Sequence, residues 1–280
     1  MIGLLCNDTL EQVGHLLFNN FRLALYNYFG AENFKEVKNI NDLDGIEKLI
    51  IVDEHFLYNK QVWFNDNFIN TTNNKNIKVL VFNFERIYNS SFPWNVDLQN
   101  KLTAFNNIHQ IVSDIDDATV LNKVFVNKQR LSKSTNFGIE IKEDKIDKIL
   151  FIGQLEGNQY TARRNIINAL QQNGMEIDIL KSDRKLGYTE YLDKINQYKY
   201  ILNPLGTGKF INLRFYEALY FNTIPIQQVT SEILKWNPDI SDHCITFSED
   251  LIIPNLDKPQ PSKSLYLEDF FKDINIEGLL

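Results

Sequence analysis

The chain has 280 residues, of which 44% are hydrophobic and 12% aromatic, and its formal net charge at pH 7 is -7. A chain of this length and apolar content can bury one large core or two smaller ones. The acidic balance argues against strong non-specific binding to nucleic acid or to an anionic membrane surface. No run approaches the roughly 18 apolar residues of a membrane span, and the first residues lack the basic segment of a signal peptide. We therefore expect a soluble, cytoplasmic protein.

Short apolar runs alternate with helix-period segments along the first half of the chain. The predicted strands are residues 2–6, 48–52, 77–82 and 108–112. A helix from about Thr9 to Tyr28 follows the first strand, with Thr9 as its N-cap. Residues 131–147 are polar and charged, which is typical of a connection between domains.

The same alternation restarts in the second half. The predicted strands are residues 148–152, 177–180, 200–203, 224–227 and 245–247, and the predicted helices are 161–173, 189–197 and 212–221. Nearly continuous apolar strands between helices indicate parallel sheets that are covered on both faces. The sequence thus predicts an α/β protein with two Rossmann-like domains facing a cleft. The predicted domains are residues 1–146 and 147–260, and residues 261–280 are predicted to form a helix that packs back on the body.

Residues 203–219 read NPLGTGKFINLRFYEAL, and the GTGK within them raises the question of a phosphate-binding loop. A P-loop requires glycine at position 203 and serine or threonine after Lys209, but the chain has Asn203 and Phe210 there. The segment can still bind phosphate in another way. Glycines at 206 and 208 allow a tight turn and a close approach of the backbone to a ligand, and the helix that begins near Asn212 favours an anion at its first N–H groups.

Two charged residues of this helix extend the interpretation. Arg214 lies in the first turn and can donate a fork of hydrogen bonds to a diphosphate. Glu217 lies one turn deeper on the same face, where its carboxylate can accept hydrogen bonds from the two hydroxyls of a ribose. The alternative for the pair alone is an ordinary surface ion pair at i,i+3 spacing.

The segment LNPLGTGKFINLRFYEALYFNTIPIQ resembles the C-terminal signature of GT-B glycosyltransferases of the exostosin type and of family-1-like members. The matching residues are Arg214, Glu217, Ala218, Leu219, Ile224, Pro225 and Ile226. The resemblance implies that Arg214 binds the phosphate and Glu217 the ribose of a nucleotide sugar. Upstream, FIGQLEGNQYTARRNIINAL is similar to the first strand and loop of the nucleotide domain, with Arg163 or Arg164 near the phosphate. The resemblance covers the C-terminal half, whereas the N-terminal half matches only in its pattern of elements.

A second resemblance concerns the acceptor. KFINLRFYE is similar to the corresponding helix of phage DNA β-glucosyltransferases, and VFNFERIYNSSFPWN is faintly similar to their acceptor loop. Their catalytic aspartate stands two residues before an arginine, where this chain has Phe84, with Glu85 next to Arg86. Transfer to a hydroxymethylated DNA base is therefore an alternative to transfer to a glycan or glycoprotein.

An inverting transfer needs a base for the acceptor hydroxyl, at a strand end of the N-terminal domain. The candidates are Asp53, Glu54 and Glu85, and two weaker candidates are His55 and Asp8. For any single one of them, a solvated loop residue or a helix cap is the alternative. A retaining transfer does not require an enzymic base, so the stereochemical outcome stays open.

The run VSDIDDA contains the pair Asp114 and Asp116, whose D-x-D spacing holds a divalent metal in GT-A enzymes. Here it is expected to end a strand and cap the helix near Ala118. We expect no essential metal, and the two cysteines, Cys6 and Cys244, are expected to be buried reduced thiols.

The sequence therefore predicts a metal-independent GT-B glycosyltransferase whose donor substrate is a nucleotide-diphosphate sugar, with no further cofactor. The predicted donor-binding residues are Gly153, Arg163, Arg164, Gly206, Thr207, Gly208, Lys209, Asn212, Arg214 and Glu217. The rival interpretations are a non-catalytic two-lobed ligand-binding protein and a nucleotide-sugar epimerase. The base and sugar of the donor, the acceptor and the oligomeric state stay open.

Overall fold

The fold was obtained as a computed structural model. The structure describes residues 1–6, 14–52, 66–84, 94–181, 186–205, 211–248 and 265–280. The chain divides into two compact units, and each has a parallel sheet of its own. The first unit comprises residues 1–135 and 266–280, and the second comprises residues 136–265.

The first unit contains a six-stranded sheet. Its strands are β1 (Ile2–Cys6), β2 (Phe34–Glu36), β3 (Lys48–Val52), β4 (Lys78–Asn83), β5 (Ile108–Val112) and β6 (Val124–Phe125). They lie in the order β2-β1-β3-β4-β5-β6, and all neighbours are parallel. The described helices of this unit are α1 (Gly14–Phe29), α2 (Asp66–Asn74), α3 (Trp94–Thr103) and α4 (Ile115–Val120), and, at the carboxyl end of the chain, α9 (Leu267–Asp273) and α10 (Ile276–Leu279).

Aromatic side chains join α1 and the C-terminal helices to one face of this sheet. The ring of Phe21 in α1 lies 5.1 Å from Phe82 of β4, and Phe82 lies 5.9 Å from Phe271 of α9. All three side chains are fully buried. The end of the chain, from residue 266, is therefore part of the core of the first unit.

The second unit contains a five-stranded sheet covered on both faces. Its strands are β7 (Ile146–Gly153), β8 (Ile177–Lys181), β9 (Tyr198–Asn203), β10 (Ile224–Gln228) and β11 (Ile245–Phe247). They lie in the order β11-β10-β9-β7-β8 with parallel neighbours. The described helices are α5 (Thr161–Gln172), α6 (Tyr188–Gln197), α7 (Leu213–Tyr220) and α8 (Ser231–Trp236).

Alternation along the strands sends side chains to two separate apolar clusters in this unit. Phe151 of β7 packs with α5 on one face. Its neighbour Ile152 packs with α6 and α7 on the other face. The helices that follow β7 and β9 therefore reach the carboxyl edge of the sheet from opposite faces.

The predicted α/β class with parallel sheets is confirmed. Each predicted strand is present with ends within two residues of the expected ones, whereas the short edge strands β2 and β6 were not predicted. The N-cap Thr9 lies outside the described residues. Of the parts that are described, no helix is long and apolar enough to cross a lipid bilayer.

The boundary between the units lies between residues 135 and 136, whereas the sequence placed it at 146. Most of the polar segment expected to be a connection belongs to the second unit instead. Phe137 and Ile139 join the core cluster of the second unit, and the Lys142 N–H donates to Asn196 of α6 over 3.0 Å. Composition shows that the segment is polar, but it does not predict the few contacts that attach the segment to the second unit.

Candidate functional site

The most promising site lies at the carboxyl edge of the second sheet, where the strand order reverses. From β7 the chain passes outward to β8 and then returns to β9 on the other side of β7. Ligands of open parallel sheets bind in the crevice at such a switch point, beyond the carboxyl ends of the strands. Here β7 ends at Gly153 and β9 ends at Asn203.

Gly153 allows two guanidinium groups to approach the end of β7. A Cβ atom at this position would lie 3.2 Å from Nη2 of Arg214 and 3.7 Å from Nη1 of Arg163. It would also lie 3.3 Å from Cζ of Phe151, so glycine leaves room that no larger residue would. Gly153, predicted only as a donor-binding residue, thus lies beside both guanidinium groups.

The two arginines, which we call the arginine pair, come from helices on opposite faces of the sheet. Arg163 lies in the first turn of α5 and Arg214 in the first turn of α7. Both guanidinium groups lie over the buried ring of Phe151, at 6.0 and 5.8 Å from its centroid. The positive ends of two helix dipoles and two fixed positive charges therefore meet at one strand end.

The electrostatics of the arginine pair favour an anionic ligand. Burial, and then the nearby charge of Arg214, lowers the pKa of Arg163. The Nε atoms of both arginines are buried and have no hydrogen-bond partner among the described residues. An oxyanion that accepts hydrogen bonds from both guanidinium groups would relieve the repulsion between them and use their free Nε donors. A diphosphate has several oxygens that can do this.

Arg164 has a different role from its neighbour. Its guanidinium donates to the Leu155 carbonyl, to the Gly157 carbonyl over 2.8 Å and to Thr161 Oγ1 over 2.8 Å. Arg164 therefore holds the loop before α5. Arg163 also donates to this loop, at the Gln154 carbonyl over 3.0 Å, but its guanidinium reaches the end of β7 as well.

Glu217, which was expected to bind a ribose, is 1% exposed. Its Oε1 accepts a hydrogen bond from the Tyr188 hydroxyl over 2.6 Å, and its Oε2 accepts one from the Tyr191 hydroxyl over 2.7 Å. Burial raises the pKa of the carboxyl group, and the two hydroxyls and Arg214 offset part of that rise. To make the expected contact, a ribose would have to displace the hydroxyls of Tyr188 and Tyr191, which both lie on α6, from the carboxylate of Glu217.

A chain of buried amides supports Arg214 from the other side. Arg214 Nη1 donates to Asn203 Oδ1 over 3.4 Å, and Asn203 Nδ2 donates to Gln227 Oε1 over 2.5 Å. Asn203 and Gln227 are both fully buried at the ends of neighbouring strands. Asn212, the N-cap residue of α7, makes no capping hydrogen bond, and its Oδ1 is buried without a partner in the described part of the chain.

Sequence reasoning missed Tyr188, Tyr191, Asn203 and Gln227 as members of the site. Two signals were available. Asn203 and Gln227 are polar residues near the ends of otherwise apolar strands, and Tyr188 and Tyr191 have the i,i+3 spacing of one helix face. The pairing of the tyrosines with Glu217 depends on how α6 packs on α7, which no local pattern encodes.

Several predicted residues lie outside the described residues. They are the candidate bases Asp53, Glu54 and Glu85, the weaker candidates His55 and Asp8, and the loop residues Gly206, Thr207, Gly208 and Lys209. Their positions in the sequence relate them to strand ends, since Asp53 and Glu54 follow β3 directly and Glu85 follows β4 by two residues. Their assignments stay predictions.

Asp114 acts as a helix cap, as the sequence predicted. Its Oδ1 accepts hydrogen bonds from the N–H groups of Asp116 and Asp117 over 2.9 and 3.1 Å, and α4 begins at the next residue, earlier than expected. Within the described ranges, no group of three or more His, Cys, Asp or Glu is arranged to hold a metal ion. Both cysteines are free thiols, with Cys244 buried and Cys6 only partly buried.

The opposite edge of the second sheet carries cations of a different kind. A cavity of about 410 Å³ there is lined in part by Lys148 and Lys199. Lys148 Nζ lies 3.8 Å from an Asp178 oxygen, and Lys199 Nζ lies 3.2 Å from an Asp147 oxygen. These exposed lysines already have carboxylate partners. This edge is therefore a weaker site for a bound anion than the arginine pair.

No protein-family model matches the chain, and neither does any curated protein. Among solved structures, the chain is similar to a crystal structure of an alpha1,3-fucosyltransferase with GDP-fucose, with 14% identity, a TM-score of 0.41 and coverage of 84% of this chain and 69% of that chain. It is also similar to a LacI family transcriptional regulator from Enterococcus faecium with bound ribose, with 11% identity, a TM-score of 0.24 and coverage of 89% and 84%. At such scores, neither similarity identifies an activity.

Proposed function

We propose that the second unit binds the diphosphate of a nucleotide sugar at the arginine pair and that the protein is a glycosyltransferase of the GT-B class. The observation that carries this proposal is the meeting of Arg163 and Arg214 over Gly153 at the switch point of the sheet. The resemblance of residues 202–227 to the GT-B signature and the presence of two parallel-sheet units support it.

The arginine pair suits a diphosphate that is a leaving group. In glycosyl transfer an acceptor oxygen bonds to the anomeric carbon, and the bond from that carbon to the diphosphate oxygen breaks with its electron pair remaining on the diphosphate. The negative charge that develops there is stabilised by fixed guanidinium groups and helix dipoles, which cost no reorganisation during the reaction. This assignment needs no metal ion.

The acceptor hydroxyl loses its proton in the same reaction, and an inverting enzyme supplies a base for it. The proposal keeps Asp53, Glu54 and Glu85 as candidates for this base. It takes the hydroxyl of a glycan or glycoprotein as the acceptor, with a hydroxymethylated DNA base as the alternative that the phage-enzyme resemblance suggests.

A ligand panel tests the proposal. Thermal unfolding is measured with UDP, GDP, dTDP, CMP and their sugars, since a ligand at about 100 times its dissociation constant stabilises the folded state by about 2.7 kcal/mol. We expect one base to stabilise the protein, and the matching nucleotide sugar to be hydrolysed slowly to the nucleoside diphosphate when water replaces the acceptor. Binding without any hydrolysis or transfer would favour a ligand-binding protein, and a flat panel would contradict the proposal.

The control distinguishes binding at the arginine pair from a general effect of the protein's net charge. Arg214→Met removes one positive charge from the arginine pair, while Lys148→Met removes one from the same unit at the other end of β7. We expect Arg214→Met to abolish the stabilisation and Lys148→Met to preserve it. Equal effects of the two variants would show that binding does not depend on the arginine pair.

A further inference from the structure

Glu217, Tyr188 and Tyr191 form a closed hydrogen-bonded group behind Arg214, which we call the tyrosine–glutamate cluster. Each carboxylate oxygen of Glu217 accepts from one tyrosine hydroxyl, at 2.6 and 2.7 Å. The rings of the two tyrosines are stacked, with centroids 5.9 Å apart and an interplanar angle of 19°. Both oxygens of the carboxylate are thus occupied from the neighbouring helix α6.

Displacing these hydroxyls for a ribose would be costly. Tyr191 is partly buried, and its hydroxyl would lose the buried Glu217 carboxylate as its acceptor. Tyr188 is 38% exposed, and its ring makes an edge-on contact with Phe137 at 6.3 Å, which a movement of Tyr188 would disturb. The ribose would regain at Glu217 only the hydrogen bonds that the tyrosines give up.

The position of the cluster relates it to the arginine pair. Glu217 lies three residues after Arg214 on α7, so the two side chains share one helix face. Burial raises the pKa values of both Glu217 and Tyr191, and the nearby charge of Arg214 offsets part of each rise. On its other side, Arg214 donates to Asn203, which Gln227 holds in place.

We propose that Glu217 is a positioning residue that acts on the diphosphate through Arg214, and that Tyr188 and Tyr191 hold it there instead of a ribose. The buried carboxylate offsets one of the two guanidinium charges, which allows Arg214 to stay beside Arg163 before a ligand arrives. The fork of Arg214 is thereby fixed in direction, since it lies between an anion on its own helix and an amide at the end of β9. This inference rests on the proposed function for the identity of the diphosphate ligand.

Inorganic pyrophosphate distinguishes positioning from ribose binding because it has no ribose. The affinities of pyrophosphate, UDP and GDP are measured by calorimetry for the wild type and for Glu217→Gln, a variant that keeps the shape of the side chain and removes its charge. We expect Glu217→Gln to weaken pyrophosphate binding about tenfold, and to weaken binding of the preferred nucleoside diphosphate by the same factor. Loss of nucleotide affinity with pyrophosphate affinity unchanged would overturn the inference.

Tyr191→Phe is the second variant, because a change at a buried carboxylate can affect folding. It removes one hydrogen bond to Glu217 and keeps the ring. We expect a smaller loss of pyrophosphate affinity than in Glu217→Gln, with an unfolding midpoint close to that of the wild type; unchanged pyrophosphate affinity in this variant contradicts the inference.

The two proposals fail in different ways. If pyrophosphate binds and responds to Glu217→Gln while neither UDP nor GDP binds more tightly than pyrophosphate, the positioning role stands and the nucleotide-sugar function fails. If the wild type binds neither pyrophosphate nor any nucleotide or nucleotide sugar of the panel, both fail.

Discussion

Gly153 is the single residue on which the geometry of the site depends most directly. The space that a side chain would need is taken by Arg214 Nη2 and the ring of Phe151, at 3.2 and 3.3 Å from the expected Cβ position. Contacts of this length require one of the two groups to move, and the ring is fully buried. The guanidinium of Arg214 is therefore the group that yields.

We predict that Gly153→Ala weakens pyrophosphate binding about tenfold, since the added methyl group displaces the partly buried Arg214 side chain, and that it also lowers the unfolding midpoint, since alanine is strained at the φ of +157° that Gly153 adopts. Gly187→Ala is the matched control, because a Cβ at Gly187 would meet no atom within 4 Å. Calorimetry and thermal unfolding of both variants test this, and equal affinities for the two would contradict it.

Lys145 gives the second unit a pH dependence of its own. Its ammonium donates to the Asn196 carbonyl over 2.8 Å and to Thr223 Oγ1 over 3.1 Å, near the ends of α6 and α7. Burial, and then the charge of Lys142, lowers the pKa of Lys145 from 10.5 to about 8. Between these values the unfolded chain binds more protons than the folded one, so the contribution of Lys145 to stability rises with pH.

We predict that the free energy of unfolding of the wild type, relative to that of Lys145→Met, increases as the pH rises from 8 towards 10.5. The difference between the two proteins isolates this lysine from other titrating groups. Urea denaturation at several pH values in this window measures it. A difference that is constant, or that falls with pH, would show that Lys145 titrates normally in the folded state.

At the scale of elements, the sequence predicts the strands and helices of the second unit closely, because apolar strands alternate with amphipathic helices and end at polar turns. It also predicts an anion site at the start of α7, and this stays a prediction. The i,i+3 spacing predicts that Glu217 lies on the face of Arg214. It does not predict that α6 covers Glu217 there, with Tyr188 and Tyr191 as the donors to its carboxylate.

The attachment of α9 to the first unit is a second element that local patterns do not reveal. The buried carboxylate of Glu268 accepts from Asn27 Nδ2 over 2.8 Å, from the Ser132 hydroxyl over 2.6 Å and from the Lys133 N–H over 3.0 Å. Donors from two distant parts of the chain thus share one acceptor from a third. The neighbouring Asp269 only pairs with the Lys133 ammonium at the surface.

We predict that Glu268→Ala lowers the free energy of unfolding by about 2–3 kcal/mol, since it leaves buried donors without their charged acceptor. Asp269→Ala removes an exposed ion pair and should cost about 0–1 kcal/mol. Urea denaturation of the two variants compares neighbouring carboxylates on one helix. A loss for Glu268→Ala no larger than that for Asp269→Ala would mean that the C-terminal helix is held by its apolar contacts alone.

At the scale of the whole molecule, the chain completes most of one sheet unit, builds the second as an insertion of residues 136–265, and returns to the first with its last residues. The sequence alone does not predict which unit the C-terminal helices pack on. That depends on the contacts of Phe271 with Phe21 and Phe82, which are far from it in the sequence. The net charge of -7 likewise conceals a local positive site, since Arg163 and Arg214 are 51 residues apart in the sequence.

The central claim is that this local positive site binds a diphosphate, and a crystal structure with UDP or inorganic pyrophosphate tests it most directly. The account predicts phosphate oxygens at about 2.7–3.2 Å from guanidinium nitrogens of both Arg163 and Arg214, at the carboxyl end of β7. Phosphates bound elsewhere, for example beside Lys148 and Lys199 at the opposite edge of the sheet, with the two arginines left unliganded, would contradict it.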